Sequence, residues 1–180
     1  MKYILLLRGI NVGGKNKVSM AALKEQLSQL DYTQIATYIN SGNIVFATDK
    51  AASEIKNELD EIFKSHNEFK ILYKLLSRDD FMKDYENLPS WWFEDLDRKD
   101  VLFYTDECDK EEIERNLRGA VLHNEVIHFG ESAVFWGKYD EKEFLKTAYH
   151  KHLIKQSFYK QITIRNGKTY NKLYSMLEDK

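Results

Sequence analysis

Near its N-terminus the sequence reads Arg8-Gly9-Ile10-Asn11-Val12-Gly13-Gly14-Lys15-Asn16-Lys17. An apolar run over residues 3–7 precedes this segment and has the length of a short buried strand. The residues that follow, 18–23, begin a pattern typical of a helix, with Ser19 as a plausible N-cap. The segment is therefore predicted to be a strand-to-helix loop rich in glycine, asparagine and basic residues.

Two interpretations of this loop remain open. Glycine allows close approach to backbone amides, and a helix N-terminus with nearby Arg and Lys attracts phosphate or carboxylate groups. The loop has neither the spacing of a phosphate-binding Walker loop nor that of a dinucleotide-binding G-x-G-x-x-G loop. Alternatively, it is a turn whose polar side chains bind their own backbone.

Hydrophobic periodicity predicts a β-α-β-β-α-β order in the first part of the chain, which is the ferredoxin-like pattern. The predicted elements are a strand at 3–7, a helix at 20–30, strands at 35–39 and 44–47, a helix from about 53, and a strand at 69–73. In this topology the first loop and the 40–43 turn lie at the same end of the sheet. Their convergence favours the anion-site interpretation over the self-bonded turn.

The second half repeats the order with lower fidelity. Strands are predicted at 101–104, 125–129 and 132–136, and residues 141–159 are expected to be wholly or partly helical before a strand at 161–164. We therefore predict an α+β protein built from two ferredoxin-like β-α-β-β-α-β halves with antiparallel sheets, a structural duplication. The predicted domains are 1–76, a helical and aromatic connector at 77–100, and 101–180 with an extra C-terminal helix.

Three adjacent aromatic residues, Trp91, Trp92 and Phe93, lie in the connector. Large aromatic side chains chiefly supply buried area, so a role in fastening the two halves together is favoured over a lid or a ligand-stacking surface.

The C-terminal segment resembles the first loop in its composition. A strand ends in Arg165-Asn166-Gly167-Lys168, and a helix is predicted to follow with Thr169 as its N-cap. Arg165 and Lys168 could add charge to the first site or form a second one. The alternative is that Arg165 pairs with an acid and fixes the C-terminal helix. The predicted ligand-binding residues are Arg8, Gly9, Asn11, Gly13, Gly14, Lys15, Asn40, Ser41, Gly42, Asn43, Arg165 and Asn166.

The opening strand with its glycine loop resembles the start of the bacterial domain-of-unknown-function family 1697. Met20-x-x-Leu23, Tyr38-Ile39-Asn40-Ser41-Gly42-Asn43, and Thr163-Ile164-Arg165-Asn166 with Thr169 and Leu173 agree with this resemblance. Leu88-Pro89 departs from it, because the family often has Asn-Pro there. The resemblance implies a fold and a set of shared polar positions, and it implies no established activity.

Composition narrows the functional classes. The net charge of −2 argues against a broadly basic nucleic-acid surface. The single cysteine, Cys108, suits a reducing compartment, and no apolar run approaches the roughly 18 residues of a membrane span, so we expect a cytoplasmic protein without a membrane partner. His150-x-His152 has poor spacing for a metal on a helix, and neither a metal nor a cofactor is expected.

We therefore expect a protein that binds a small anionic ligand at the 8–17 loop beside the 40–43 turn. An enzyme of unknown reaction that uses the same site is the alternative, with Arg8 or Lys15 stabilising developing negative charge. A nucleic-acid-binding module is the second alternative.

Overall fold

The computed structural model of the chain describes residues 1–66 and 69–178, with residues 65 and 66 described at the backbone alone. The chain divides into two compact units. The first contains Met1–Asp79 together with the C-terminal segment from Leu173, and the second contains Asp80–Lys172. The sequence-based division placed the whole C-terminal helix with the second half, whereas the contacts group its last residues with the first unit.

The first unit has the ferredoxin-like order predicted from the sequence. Its elements are β1 (Lys2–Leu7), α1 (Met20–Ser28), β2 (Thr33–Thr37), β3 (Asn43–Ala47), α2 (Ala52–His66) and β4 (Tyr73–Ser77). The four strands form an antiparallel sheet in the order β2-β3-β1-β4. In this arrangement the loop after β1 and the hairpin between β2 and β3 are at one end of the sheet.

Strand β1 is buried on both faces. Tyr3, Leu5 and Leu7 belong to a core that includes side chains of α1 and α2, while Ile4 and Leu6 on the opposite face are also fully buried. A strand covered on both sides has no need of polar alternation, which explains the continuous apolar run in the sequence.

Helix α2 is tied to the sheet by a partly buried polar group. The Glu58 carboxylate accepts hydrogen bonds from the Tyr32 hydroxyl and the Lys50 ammonium, and the Tyr32 ring stacks on Phe46 with centroids 4.6 Å apart. Partial burial acts to raise the pKa of Glu58, but the hydrogen bonds from Lys50 and Tyr32 bring this pKa below its ordinary value.

The fourth strand lies further along the chain than the sequence pattern predicts. The prediction of 69–73 is wrong: Tyr73 pairs with Leu7 and Ser77 pairs with Tyr3, so the strand covers 73–77. Helix α3 (Arg78–Glu86) begins at the next residue, so β4 leads directly into the helix at Ser77. The whole stretch 69–76 is rich in apolar residues, and only pairing with β1 selects the part that forms the ladder.

The second unit repeats the topology with β5 (Arg98–Tyr104), α4 (Lys110–Arg118), β6 (Glu125–Phe129), β7 (Ala133–Lys138) and β8 (Ile162–Asn166). Its antiparallel sheet has the order β6-β7-β5-β8. Between β7 and β8, where the first unit has α2, the chain forms 3₁₀ turns and a single short helix, α5 (Ala148–Lys151). The Thr147 side chain caps α5, and the extended backbone of that residue separates α5 from the turn before it.

Trp92 is a core residue of the second unit. It lies in a 3₁₀ turn, Ser90–Phe93, and its ring makes edge contacts with Phe135 and Tyr170 at centroid distances of 5.3 and 5.5 Å. The side chain of Trp92 is 3% exposed, whereas Phe93 is 66% exposed. The three adjacent aromatics therefore have different environments, and Trp92 is packed rather than available as a lid.

The C-terminal helix α6 (Gly167–Glu178) begins two residues earlier than predicted. The Asn166 side chain, rather than Thr169, caps it by accepting from the Thr169 N–H at 2.8 Å. Near its end, Lys2 donates to the Leu177 carbonyl at 3.3 Å, and Arg78 forms an ion pair with Glu178. Among the described helices, none combines the length and the apolar composition needed to cross a membrane.

Candidate functional site

The loop after β1 contains a small hairpin of its own. The Asn11 N–H donates to the Asn16 carbonyl at 3.0 Å, and the Lys15 N–H donates to the Val12 carbonyl at 3.1 Å. The two residues at the tip, Gly13 and Gly14, have φ angles of +58° and +75°. Positive φ at both central positions is the signature of a type I′ turn, which explains why two consecutive glycines stand there.

Asn11 joins this loop to both of its neighbours. Its Nδ2 donates to the carbonyls of Val18 and Asn40, at 2.9 and 2.8 Å, and its Oδ1 accepts from the Val18 N–H at 2.9 Å. The bond to Asn40 holds the 8–17 loop against the 40–43 turn. Asn16 adds a bond of the same kind, from Nδ2 to the Gly9 carbonyl at 3.0 Å. The side-chain amides of Asn11 and Asn16 therefore hold the loop backbone in position.

The turn between β2 and β3 is also held by internal hydrogen bonds. Asn43 is fully buried and donates to the Tyr38 carbonyl and the Ser41 hydroxyl. Gly42 has φ +76°, and its carbonyl accepts from the Leu7 N–H at 2.8 Å. A Cβ at Gly42 would lie 2.5 Å from the Leu7 Cβ, so the turn must have glycine to pack on β1.

A hollow of about 640 Å³, the larger hollow, lies beside these loops. Its lining residues are Asn11, Gly14, Lys17, Val18, Ser19, Met20, Ala21 and Asn40. Three of the predicted ligand-binding residues, Asn11, Gly14 and Asn40, are among them. Gly14 has no side chain, so it presents its backbone. The prediction did not include Lys17 or residues 19–21, which form the start of α1.

The start of α1 supplies hydrogen-bond donors to the larger hollow. The Ser19 hydroxyl accepts from the Ala22 N–H, which leaves the N–H groups of Met20 and Ala21 without an acceptor among the described residues. The first turn of α1 contains no acidic residue. The sequence already indicated that no acidic side chain lies at the start of α1, because no Asp or Glu precedes Glu25.

The other residues predicted in the first unit are not part of the lining of the larger hollow. The Arg8 N–H donates to the Leu72 carbonyl, and the side chain is half-buried. Gly9 is also half-buried with φ +65°, and Lys15 is exposed beside the glycine turn. The lysine that lines the hollow is Lys17, two residues further along.

Arg165 and Asn166 belong to the second unit, and each has a partner close in the sequence. Arg165 is 6% exposed and donates from one guanidinium nitrogen to the Thr163 hydroxyl and the Ile164 carbonyl, at 2.8 and 2.9 Å. Burial lowers the pKa of Arg165 to about 10. Asn166 serves as the cap of α6.

The second unit also contains buried charges that the sequence did not indicate. Lys138 and Asp100 pair at 2.6 Å with side chains 1% and 3% exposed, and Arg98 contacts the same carboxylate. The Lys138 ammonium lies 3.6 Å from the centre of the Tyr149 ring. Burial lowers the pKa of Lys138, and the neighbouring Asp100 opposes this shift. The Lys138 and Asp100 side chains are closed off from solvent, which fits a structural role.

Comparison with known proteins agrees with the fold. The family model described as "Protein of unknown function (DUF1697)" matches residues 1–135. A solved structure of the conserved bacterial protein SP0830 from Streptococcus pneumoniae is 46% identical, covers 98% of each chain, and superposes with a TM-score of 0.94. No curated protein sequence matches the chain. The chain therefore belongs to the DUF1697 family of proteins of unknown function.

Proposed function

We propose that this protein binds a small anion, a phosphate or carboxylate group, in the larger hollow between the 8–17 loop and the 40–43 turn. The observation that carries the proposal is the set of donors at one hollow. Lys17 stands beside the Gly14 backbone and the first turn of α1, which has two N–H groups without acceptors. A helix N-terminus with a neighbouring cation favours negative charge.

The local charge supports the proposal. Arg8, Lys15 and Lys17 lie within one ten-residue segment, and the first acidic residue of the chain is Glu25. The ammonium groups of Lys15 and Lys17 have no ion-pair partner among the described residues. Arg8 and Lys15 do not line the larger hollow, so Lys17 is the cation that would contact the anion. The protein as a whole is slightly acidic, so this basic segment is a local feature.

The loops are ordered before any ligand arrives. The hydrogen bonds of Asn11, Asn16 and Asn43 fix both loops, so binding has little chain entropy to overcome. Next to Asn40, the half-exposed residue Ile39 has φ +48°, a conformation that β-branched residues rarely adopt. Backbone strain of this kind, about 1–3 kcal/mol, is concentrated at binding sites in other proteins.

Calorimetric titration with inorganic phosphate and with acetate tests the proposal. Because a hydrogen bond to a charged group contributes about 1.5–3 kcal/mol, Lys17→Ala should weaken binding by about tenfold or more. Lys24→Ala is the matched control, since Lys24 is an exposed lysine on the same helix and does not line the hollow. Equal losses in the two variants, or no binding of either anion by the wild-type protein, would refute the proposal.

A further inference from the structure

A smaller hollow of about 130 Å³ lies next to the larger one. Beyond the residues that it shares with the larger hollow, it is lined by Ala22, Leu23 and Gln26 of α1 and by Ile62 and Phe63 of α2. Four of these five residues are apolar. The volume is close to that of an apolar cavity of about 150 Å³ that accepts benzene in another protein. The smaller hollow is therefore the size of one ring or a short aliphatic chain.

The two hollows meet at Lys17, Val18 and Ser19, which line both of them. Three residues span at most about 10 Å, even when fully extended. An anionic group held beside Lys17 is thus within a few bonds of the apolar walls of α1 and α2. The aliphatic stem of a lysine can cover apolar surface while its ammonium binds an anion.

We infer that the ligand is a small amphipathic acid, with its carboxylate or phosphate in the larger hollow and one apolar group in the smaller hollow. This inference rests on the proposed anion site. An inorganic anion alone would leave the apolar walls of the smaller hollow in contact with water. A nucleobase has hydrogen-bonding edges on several sides, whereas the described lining of the smaller hollow beyond the shared wall contains four apolar residues and one polar residue, Gln26.

The test compares butanoate with 4-phenylbutanoate in calorimetric titrations of the protein. Burying a phenyl group contributes the transfer free energy of an aromatic side chain, so 4-phenylbutanoate should bind about tenfold to a hundredfold more tightly. Ala22→Leu fills the smaller hollow from an exposed helix position and should reduce 4-phenylbutanoate to the affinity of butanoate. Ser28→Leu is the matched control, because Ser28 is exposed on the same helix and lines neither hollow.

The outcomes separate this inference from the anion proposal. Equal affinity for the two acids, or no effect of Ala22→Leu, overturns the inference and leaves the anion proposal standing if Lys17→Ala still weakens butanoate binding. Loss of 4-phenylbutanoate binding in both Ala22→Leu and Ser28→Leu also overturns the inference. Binding of 4-phenylbutanamide as tight as that of the acid overturns both, since no charged group would then be required.

Discussion

The hydrogen bonds of Asn11 should make this residue far more important for stability than its neighbour Asn16. Both asparagines lie in the same loop with nearly the same backbone angle, φ +55° and +51°, so an alanine at either site costs about 1 kcal/mol of conformational strain. The Asn11 side chain makes three hydrogen bonds and the Asn16 side chain makes one. At about 1 kcal/mol for each bond, Asn11→Ala should cost about 4 kcal/mol and Asn16→Ala about 2 kcal/mol.

The measurement must report on the first unit. All three tryptophans of the protein, at positions 91, 92 and 136, lie in the second unit, so intrinsic fluorescence follows the wrong part of the chain. Hydrogen exchange of the backbone amides in β1 and β3 reports on the first unit directly. A difference of about 2 kcal/mol between the variants corresponds to about 30-fold faster exchange in Asn11→Ala than in Asn16→Ala.

The comparison removes the contribution of backbone strain, because that term is common to both variants. Losses that agree within about 0.5 kcal/mol would show that the three bonds of Asn11 to Val18 and Asn40 contribute no more to stability than the one bond of Asn16. The idea that this amide holds the two loops together would then be refuted.

Three further substitutions test other parts of the structure. Gly42→Ala should destabilise the protein by about 2 kcal/mol or more in urea unfolding followed by circular dichroism, because residue 42 has φ +76° and its new methyl group would lie 2.5 Å from the Leu7 Cβ. Gly119→Ala, with 3.7 Å of clearance and no positive φ, is the control and should cost less than about 1 kcal/mol. Similar losses at both glycines would contradict the packing argument. The pKa of Glu58 is lowered in the folded protein, so the stabilisation by its carboxylate is present above the ordinary pKa near 4.5 and is lost as the pH falls through the lowered value. In Glu58→Gln, the stability lost between neutral and acid pH in thermal unfolding should therefore be smaller by about 1 kcal/mol. An unchanged pH profile would refute this. Trp92→Ala should cost about 3–5 kcal/mol, against about 0.5 kcal/mol or less for the exposed Phe93→Ala, and the reverse order in chemical unfolding would contradict the packing described above.

The fold was largely predictable because its signals are local. The apolar run of β1, the 3.6-residue periodicity of α1 and the polar turn at 40–43 each identify one element, and their order gives the topology. The prediction failed where a local pattern allowed several answers. Apolar residues continue from 69 to 76, and pairing with β1 alone decides that the fourth strand starts at Tyr73.

The sequence predicted where the candidate site lies better than it predicted which residues line it. Sequence order placed the glycine loop beside the 40–43 turn, yet it could not show that the Asn11 amide is engaged by Asn40, a residue 29 positions away. Nor could it show the burial of Arg165, which is on the edge strand β8. Lys17 was within reach of sequence reasoning, since it stands two residues before the expected cap of α1.

The assignment of the C-terminal segment to the first unit has a consequence for synthesis on the ribosome. Residues 1–79 emerge before the second unit, but Leu173–Glu178, with the Leu177 carbonyl that accepts from Lys2, are translated after it. At about 5–20 residues per second, several seconds separate the emergence of β4 from the arrival of that segment. The contacts between β1 and this segment can therefore form only after the entire second unit has been made, so the first unit is completed later than the chain order of its strands suggests.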